Sequence, residues 1–129
     1  MKGLAKTVNN MTQEKKELLL KDLCARLPYG VVVLDEAARV YGKIFQVNPD
    51  FVKYDPENED EDGLRLQTIY NVKPYLRPMS SMTEEEREEL SHFENSVQRT
   101  DFFYAHHIDC RFLIEKGLAF EAPEGMYKQ

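Results

Sequence analysis

The chain has 129 residues, 42% of them hydrophobic and 31% charged, and its 17 basic and 23 acidic residues give a formal charge of −6. A chain of this size can fold as one domain without a metal or disulfide to hold it, and its hydrophobic content excludes wholesale disorder. The longest unbroken apolar runs, Leu18 to Leu20 and Val31 to Leu34, fall far short of the roughly twenty residues a membrane-spanning helix needs.

Residues 1–10 read as a flexible leader that lacks the apolar stretch of a secretory signal, and residues 11–129 as a single α+β domain. Thr12 can cap a first helix, over Gln13 to Arg26. Its leucines Leu19, Leu20, Leu23 and Leu27 recur at helical spacing, with Glu14, Lys15, Lys16, Glu17 and Lys21 opposite. Pro28 and Gly30 stop this amphipathic helix. From Val31 the period is that of strands: Val31 to Leu34, a turn at 35–38, then Arg39 to Val47 with Gly42 at a bulge position. Asn48-Pro49-Asp50 turns the chain into a third strand, Phe51 to Tyr54. An acidic loop, 55–63, is inserted before a fourth strand, Leu64 to Val72. Connections this short make the segments a three- to four-stranded antiparallel meander.

Lys73 to Pro78 reads as an extended passage along the surface or domain edge. Thr83 and Glu86 form a capping box for a helix whose apolar stripe is Leu90, Phe93 and Val97. A further short helix is expected from Thr100 or Asp101. A last one runs from Asp109 to Lys116, closed by Gly117, and the tail docks Leu118 and Phe120. The expected C-terminal half is therefore two or three short helices.

The charge is uneven. Asp55, Glu57, Glu59, Asp60, Glu61 and Asp62 follow one another with no base between them, and Glu84, Glu85, Glu86, Glu88, Glu89 and Glu94 face Arg87 alone. The remainder of the chain holds 11 acidic and 16 basic residues. Two acidic patches on a mildly basic body can orient a protein with a basic surface. The first candidate contact set is thus Asp55, Glu57, Glu59, Asp60, Glu61 and Asp62 with Glu84, Glu85 and Glu88, in a non-enzymatic interaction module of accessory or inhibitory type. The alternative is a surface for single-stranded nucleic acid made by Arg65, Lys73, Tyr75 and Arg77, since cations suit phosphates and tyrosines stack on bases. A third reading takes His106, His107, Asp109 and Cys110 as ligands of a metal or as a hydrolytic centre. Against it, adjacent helical residues point about 100° apart, and Asp109 as a helix cap with histidines closing the preceding helix is a complete structural account.

Cys24 beside the leucine stripe reads as a small buried hydrophobe, and Cys24 and Cys110 as two reduced thiols. Gly30, Gly42 and Gly63 are isolated turn glycines that cradle no phosphate. No catalytic residue, cofactor or membrane partner is expected.

Three stretches taken together are familiar: Lys21-Asp22-Leu23-Cys24-Ala25-Arg26-Leu27-Pro28-Tyr29-Gly30, then Lys73 through Thr83, then His106-His107-Ile108-Asp109 with Leu113 through Ala119. They resemble a group of small proteins encoded by gut anaerobic bacteria and their prophages or other mobile elements. The resemblance begins near Met11 and reaches the C-terminus, and is weakest from Val32 to Asp62. Members often have an aromatic residue where Cys110 stands and glycine where Phe112 stands, which speaks against a catalytic Cys110. The resemblance brings no activity with it; it implies a cytosolic protein of bacterial or phage origin.

Overall fold

The computed structural model describes residues 12–57 and 63–127. The expected leader, residues 1–10, lies outside them. Helix α1 spans Gln13–Arg26, and the Thr12 side chain accepts from the Lys15 backbone N–H as its cap. A short 3-10 turn, Leu27–Tyr29, ends at Gly30, whose φ of 67° is the left-handed conformation glycine adopts without strain.

Six strands follow: β1 (Val32–Asp35), β2 (Val40–Val47), β3 (Phe51–Pro56), β4 (Arg65–Thr68), β5 (Val72–Leu76) and β6 (Phe120–Glu121). They form one mixed sheet in the order β4-β3-β2-β1-β5-β6, antiparallel except where β5 meets β6. The meander β1 to β4 is as expected, with its first strand shifted by one residue to end on Asp35. The expected fourth strand, Leu64 to Val72, is instead β4, a 3-10 turn at Ile69–Asn71, and the start of β5. The passage after it is not a surface crossing. Its residues Val72, Pro74 and Leu76 are buried, and β5 pairs with β1.

That insertion bends the sheet. In a flat sheet β4 and β5 would lie four strand spacings apart, about 19 Å. The three residues joining them form a 3-10 turn, which rises only about 2 Å per residue. The sheet therefore curls, and its concave side holds the core: Val33, Ile44, Val52, Tyr54, Ile69, Val72 and Leu76 close over Leu19 and Leu23 of α1 and over Leu113, Leu118 and Ala119.

The buried stripe of α1 is Leu19, Asp22, Leu23 and Arg26, so half of it is charged. Asp35, at the end of β1, is buried too; it accepts from the Tyr54 hydroxyl at 2.8 Å and from Gln67 at 2.9 Å. Burial and this carboxylate push the Tyr54 hydroxyl up to about 12.

Helix α2 (Glu84–Ser91) has the expected capping box between Thr83 and Glu86. Its buried residue is not apolar but Glu86, and Val97 belongs to the next helix, where it is exposed. Helix α3 runs Ser96–Ala105 from an Asn95 cap, earlier than Thr100. The helix expected over 109–116 is a series of turns. Asp109 still caps it, accepting from the Leu113 and Ile114 N–H groups, but Phe112 sits at φ 60° and breaks the helical path. Among the described residues no helix is long and apolar enough to cross a membrane.

Candidate functional site

Strand β2 has apolar residues at both parities. Val40 and Ile44 face the core, while Tyr41, Lys43 and Phe45 face outward. The pairing with β3 slips between Ile44 and Gln46, so Phe45 is the extra residue of a β-bulge. A bulge re-aims side chains: here Phe45 and Gln46 both stand in solvent, and Val47 returns to the partly buried side. Phe51, Lys53 and Asp55 alternate outward along β3 between the buried Val52 and Tyr54, and Leu66 of β4 lies opposite Lys53. The outer side of β2, β3 and β4 thus presents Tyr41, Phe45, Phe51 and Leu66 at 47, 58, 42 and 58% exposure. Lys43 pairs in register with Asp55 across this face.

The C-terminal segment closes the neighbouring part of the sheet. The Tyr127 hydroxyl accepts from Val32 N–H at 2.8 Å and donates to the Tyr75 carbonyl at 2.7 Å, bridging β1 and β5. Its ring stacks on His107 with centroids 3.8 Å apart. Burial first, then the nearby Arg26 charge, pushes His107 down to about 4, so its imidazole is neutral at pH 7.

The sequence-derived candidates separate. Asp55 and Glu57 are exposed at the end of β3, where the Glu57 N–H donates to the Tyr41 carbonyl; Glu59, Asp60, Glu61 and Asp62 lie outside the described residues. Glu84, Glu85 and Glu88 are exposed on α2. That helix is tied to the end of β5 by Arg77 and Glu86, 2.7 Å apart. Since β5 runs antiparallel to β1, and β1 runs the same way as β3, Asp55 and Glu57 at the end of β3 lie at the opposite end of the sheet from the end of β5, to which α2 is tied.

Of the four residues of the nucleic-acid alternative, Lys73 and Tyr75 stay together on β5, while Arg77 and Arg65 turn elsewhere. Lys73 pairs with Glu36 at 3.8 Å and lies over the Phe120 ring, against which Tyr75 also packs. Arg77 is taken up by Glu86, Ser81 and the His106 carbonyl. Arg65 is on β4, at the far edge, beside the Tyr54 hydroxyl.

The cluster read as metal ligands diverges in the same way. His106 faces Glu86, 3.3 Å from its carboxylate, and packs on Phe102; His107 turns to Tyr127 through a φ of 61°. Asp109 is spent on backbone caps, and burial raises the Cys110 thiol. Among the described residues no three His, Cys, Asp or Glu side chains converge on one point. Cys24 is exposed rather than buried, because the buried places beside it on α1 are held by Asp22, Leu23 and Arg26.

Sequence reading took Tyr41, Phe45, Phe51 and Leu66 as strand residues and missed their exposure. The signal was there in part, since a strand apolar at both parities has two apolar faces. Compared with protein-family models, with curated proteins and with solved structures, the chain matches none.

Proposed function

We propose that the protein is a non-enzymatic interaction module and that its contact face is the outer side of β2, β3 and β4. One observation carries this reading: Tyr41, Phe45, Phe51 and Leu66 stand exposed on adjacent strands, Tyr41 and Phe45 on the outward parity of β2. Burying such a patch is worth roughly 25 cal/mol per Å² of apolar surface removed from water, so leaving four large side chains in solvent is a cost that a partner removes. The chemistry of the partner follows from the charge beside the patch. Asp55 and Glu57 border it and begin the acidic run of the sequence, which favours a protein with a basic surface. In the bacterial or phage setting that the resemblance implies, this describes an accessory or inhibitory protein.

A nucleic-acid surface, expected from the sequence at Arg65, Lys73, Tyr75 and Arg77, would on this face draw instead on Tyr41, Lys43, Phe45, Phe51 and Lys53. Electrostatics weighs against it. Lys43 stands opposite Asp55, and a nucleic-acid strand draws most of its affinity from cations that neutralise phosphates.

Amide chemical shifts of the full chain, titrated separately with an arginine- and leucine-containing peptide and with an oligothymidylate, separate the two. The peptide is expected to move β2, β3 and β4 resonances, less strongly as salt rises, and Phe45→Ser with Phe51→Ser to abolish the effect. Movement with the oligothymidylate alone would favour nucleic acid, and silence with both overturns the face as a contact surface.

A further inference from the structure

An open groove of about 720 Å³ separates the outer side of β1 and β2 from the C-terminal segment 123–127. Val32 lines it next to the fixed ring of Tyr127, and Tyr29 and Tyr41 contribute two half-exposed phenol rings. Two carboxylates, Glu57 and Glu124, line it against one ammonium, that of Lys43. Its one imidazole, His107, is neutral at pH 7 because burial pushes it down to about 4, and it adds no positive charge. The groove is therefore an aromatic cleft with an excess of negative charge, beside the contact face described above.

We propose that this groove seats a guanidinium, the side chain of an arginine presented by the partner. The inference rests on the reading of the protein as a module for a basic protein surface. A planar, weakly hydrated guanidinium fits aromatic walls and carboxylates together, whereas an ammonium keeps its hydration shell. The molecule uses this chemistry within its own fold: Arg26 lies 5.0 Å over the Tyr104 ring while bonded to Asp22, and Arg111 lies 5.8 Å over the same ring. The groove has a wall that holds its shape, because Tyr127 is fixed by two hydrogen bonds and by its stack on His107. A preformed wall lowers the ordering cost of binding a small group. Lys43 is the one lysine or arginine among the groove's described lining residues, and it makes the sign of the site measurable.

The probe is N-acetyl-arginine methylamide, titrated into the full chain and followed by amide shifts, with the citrulline and lysine analogues as controls. Shifts are expected at Gly30, Val32, Lys43 and Gly125, with the arginine compound bound more tightly than either control. Glu57→Gln and Glu124→Gln should each weaken binding by about 2- to 5-fold, the range for a solvent-accessible charge pair, and Lys43→Met should strengthen it. Equal binding of citrulline, weakening by Lys43→Met, or shifts confined to residues outside the groove overturns the proposal. The two readings fail separately. If the peptide moves β2, β3 and β4 while the arginine compound leaves the groove unmoved, the groove proposal alone is lost. If the arginine compound fills the groove while the peptide leaves the outer face unmoved, the contact face is lost and the guanidinium seat remains.

Discussion

Arg26 donates from Nε to Asp22 Oδ2 at 2.7 Å, one helical turn apart, with both side chains completely buried. Arg26 also donates from Nη2 to the Ile108 carbonyl at 2.7 Å, and Arg111 approaches the second Asp22 oxygen at 3.5 Å. The pair thereby staples the first helix to the C-terminal third of the chain.

Burial outweighs both arginines at this site and holds the Asp22 carboxyl above the usual carboxylate range. An ion pair in that condition is costly to break and of small net value to keep. Asp22→Ala is expected to destabilise by about 3–5 kcal/mol, leaving two arginine charges facing an apolar gap. Asp22→Leu combined with Arg26→Met should recover most of that loss. Urea unfolding of the single and double variants measures the difference, and equal losses in both would refute the account.

Stability should fall in two steps on acidification, for two different reasons. Glu86 is held down to about 2, chiefly by hydrogen bonds from Arg77 and further by the Thr83 N–H, against the opposing effect of burial. A carboxylate lowered on folding contributes stability that is complete above its unfolded value and is lost as the pH falls from about 4.5 toward 2. His107 is lowered by burial to about 4, so folding resists its protonation, and its part is lost as the pH falls from about 6.5 toward 4. Each step is on the order of 2 kcal/mol. Thermal unfolding over this pH range should show His107→Phe flattening the upper step and Glu86→Gln the lower. An unchanged upper step in His107→Phe would show that another group titrates there.

Gly42 should admit no side chain. A Cβ there would lie 2.0 Å from the Asp55 carbonyl oxygen and 2.8 Å from the Pro56 Cα, both of them backbone on the adjoining strand. Relief requires β2 and β3 to part, so Gly42→Ala is expected to cost at least about 3 kcal/mol, the upper part of the range for overpacked sites. Loss of cooperative melting near ambient temperature, with Gly63→Ala much milder, is the expected pattern. Gly63 has open space around its Cβ position and carries only the cost of its positive φ.

Phe112→Gly should stabilise the protein, contrary to the usual effect of removing an aromatic ring. Phe112 is 52% exposed at φ 60°, so it gives up little burial and carries left-handed strain of roughly 1–2 kcal/mol. Glycine also gives the unfolded chain more freedom, which offsets part of the relief. The net expectation is a gain of about 0.5–1 kcal/mol, read from the denaturation midpoint.

The sequence by itself determined the local elements with strong chemical punctuation. Thr12 and Thr83 announced two helix starts, Pro28 with Gly30 a stop, and Asn48-Pro49-Asp50 the β2–β3 turn, because each is a short-range demand on backbone geometry or hydrogen bonding. β-branched and aromatic residues between turn signals likewise placed β2 and β3. Sequence period could not show where Val72–Leu76 goes, because Lys73-Pro74-Tyr75 alternates equally well on a surface or in a sheet; only pairing with β1 decides. The same holds for the candidate surfaces. Tyr41 and Phe45 are exposed because the sheet curls toward α1 and turns their parity outward, and Asp55 and Glu57 part from the glutamates of α2 because β3 and β5 end on opposite sides. Nothing within α1 marks Asp22 and Arg26 as buried; Ile108 and Arg111, more than 80 positions away, come to cover them. Spacing within a segment fixes which residues share a face, and long-range packing fixes what that face meets.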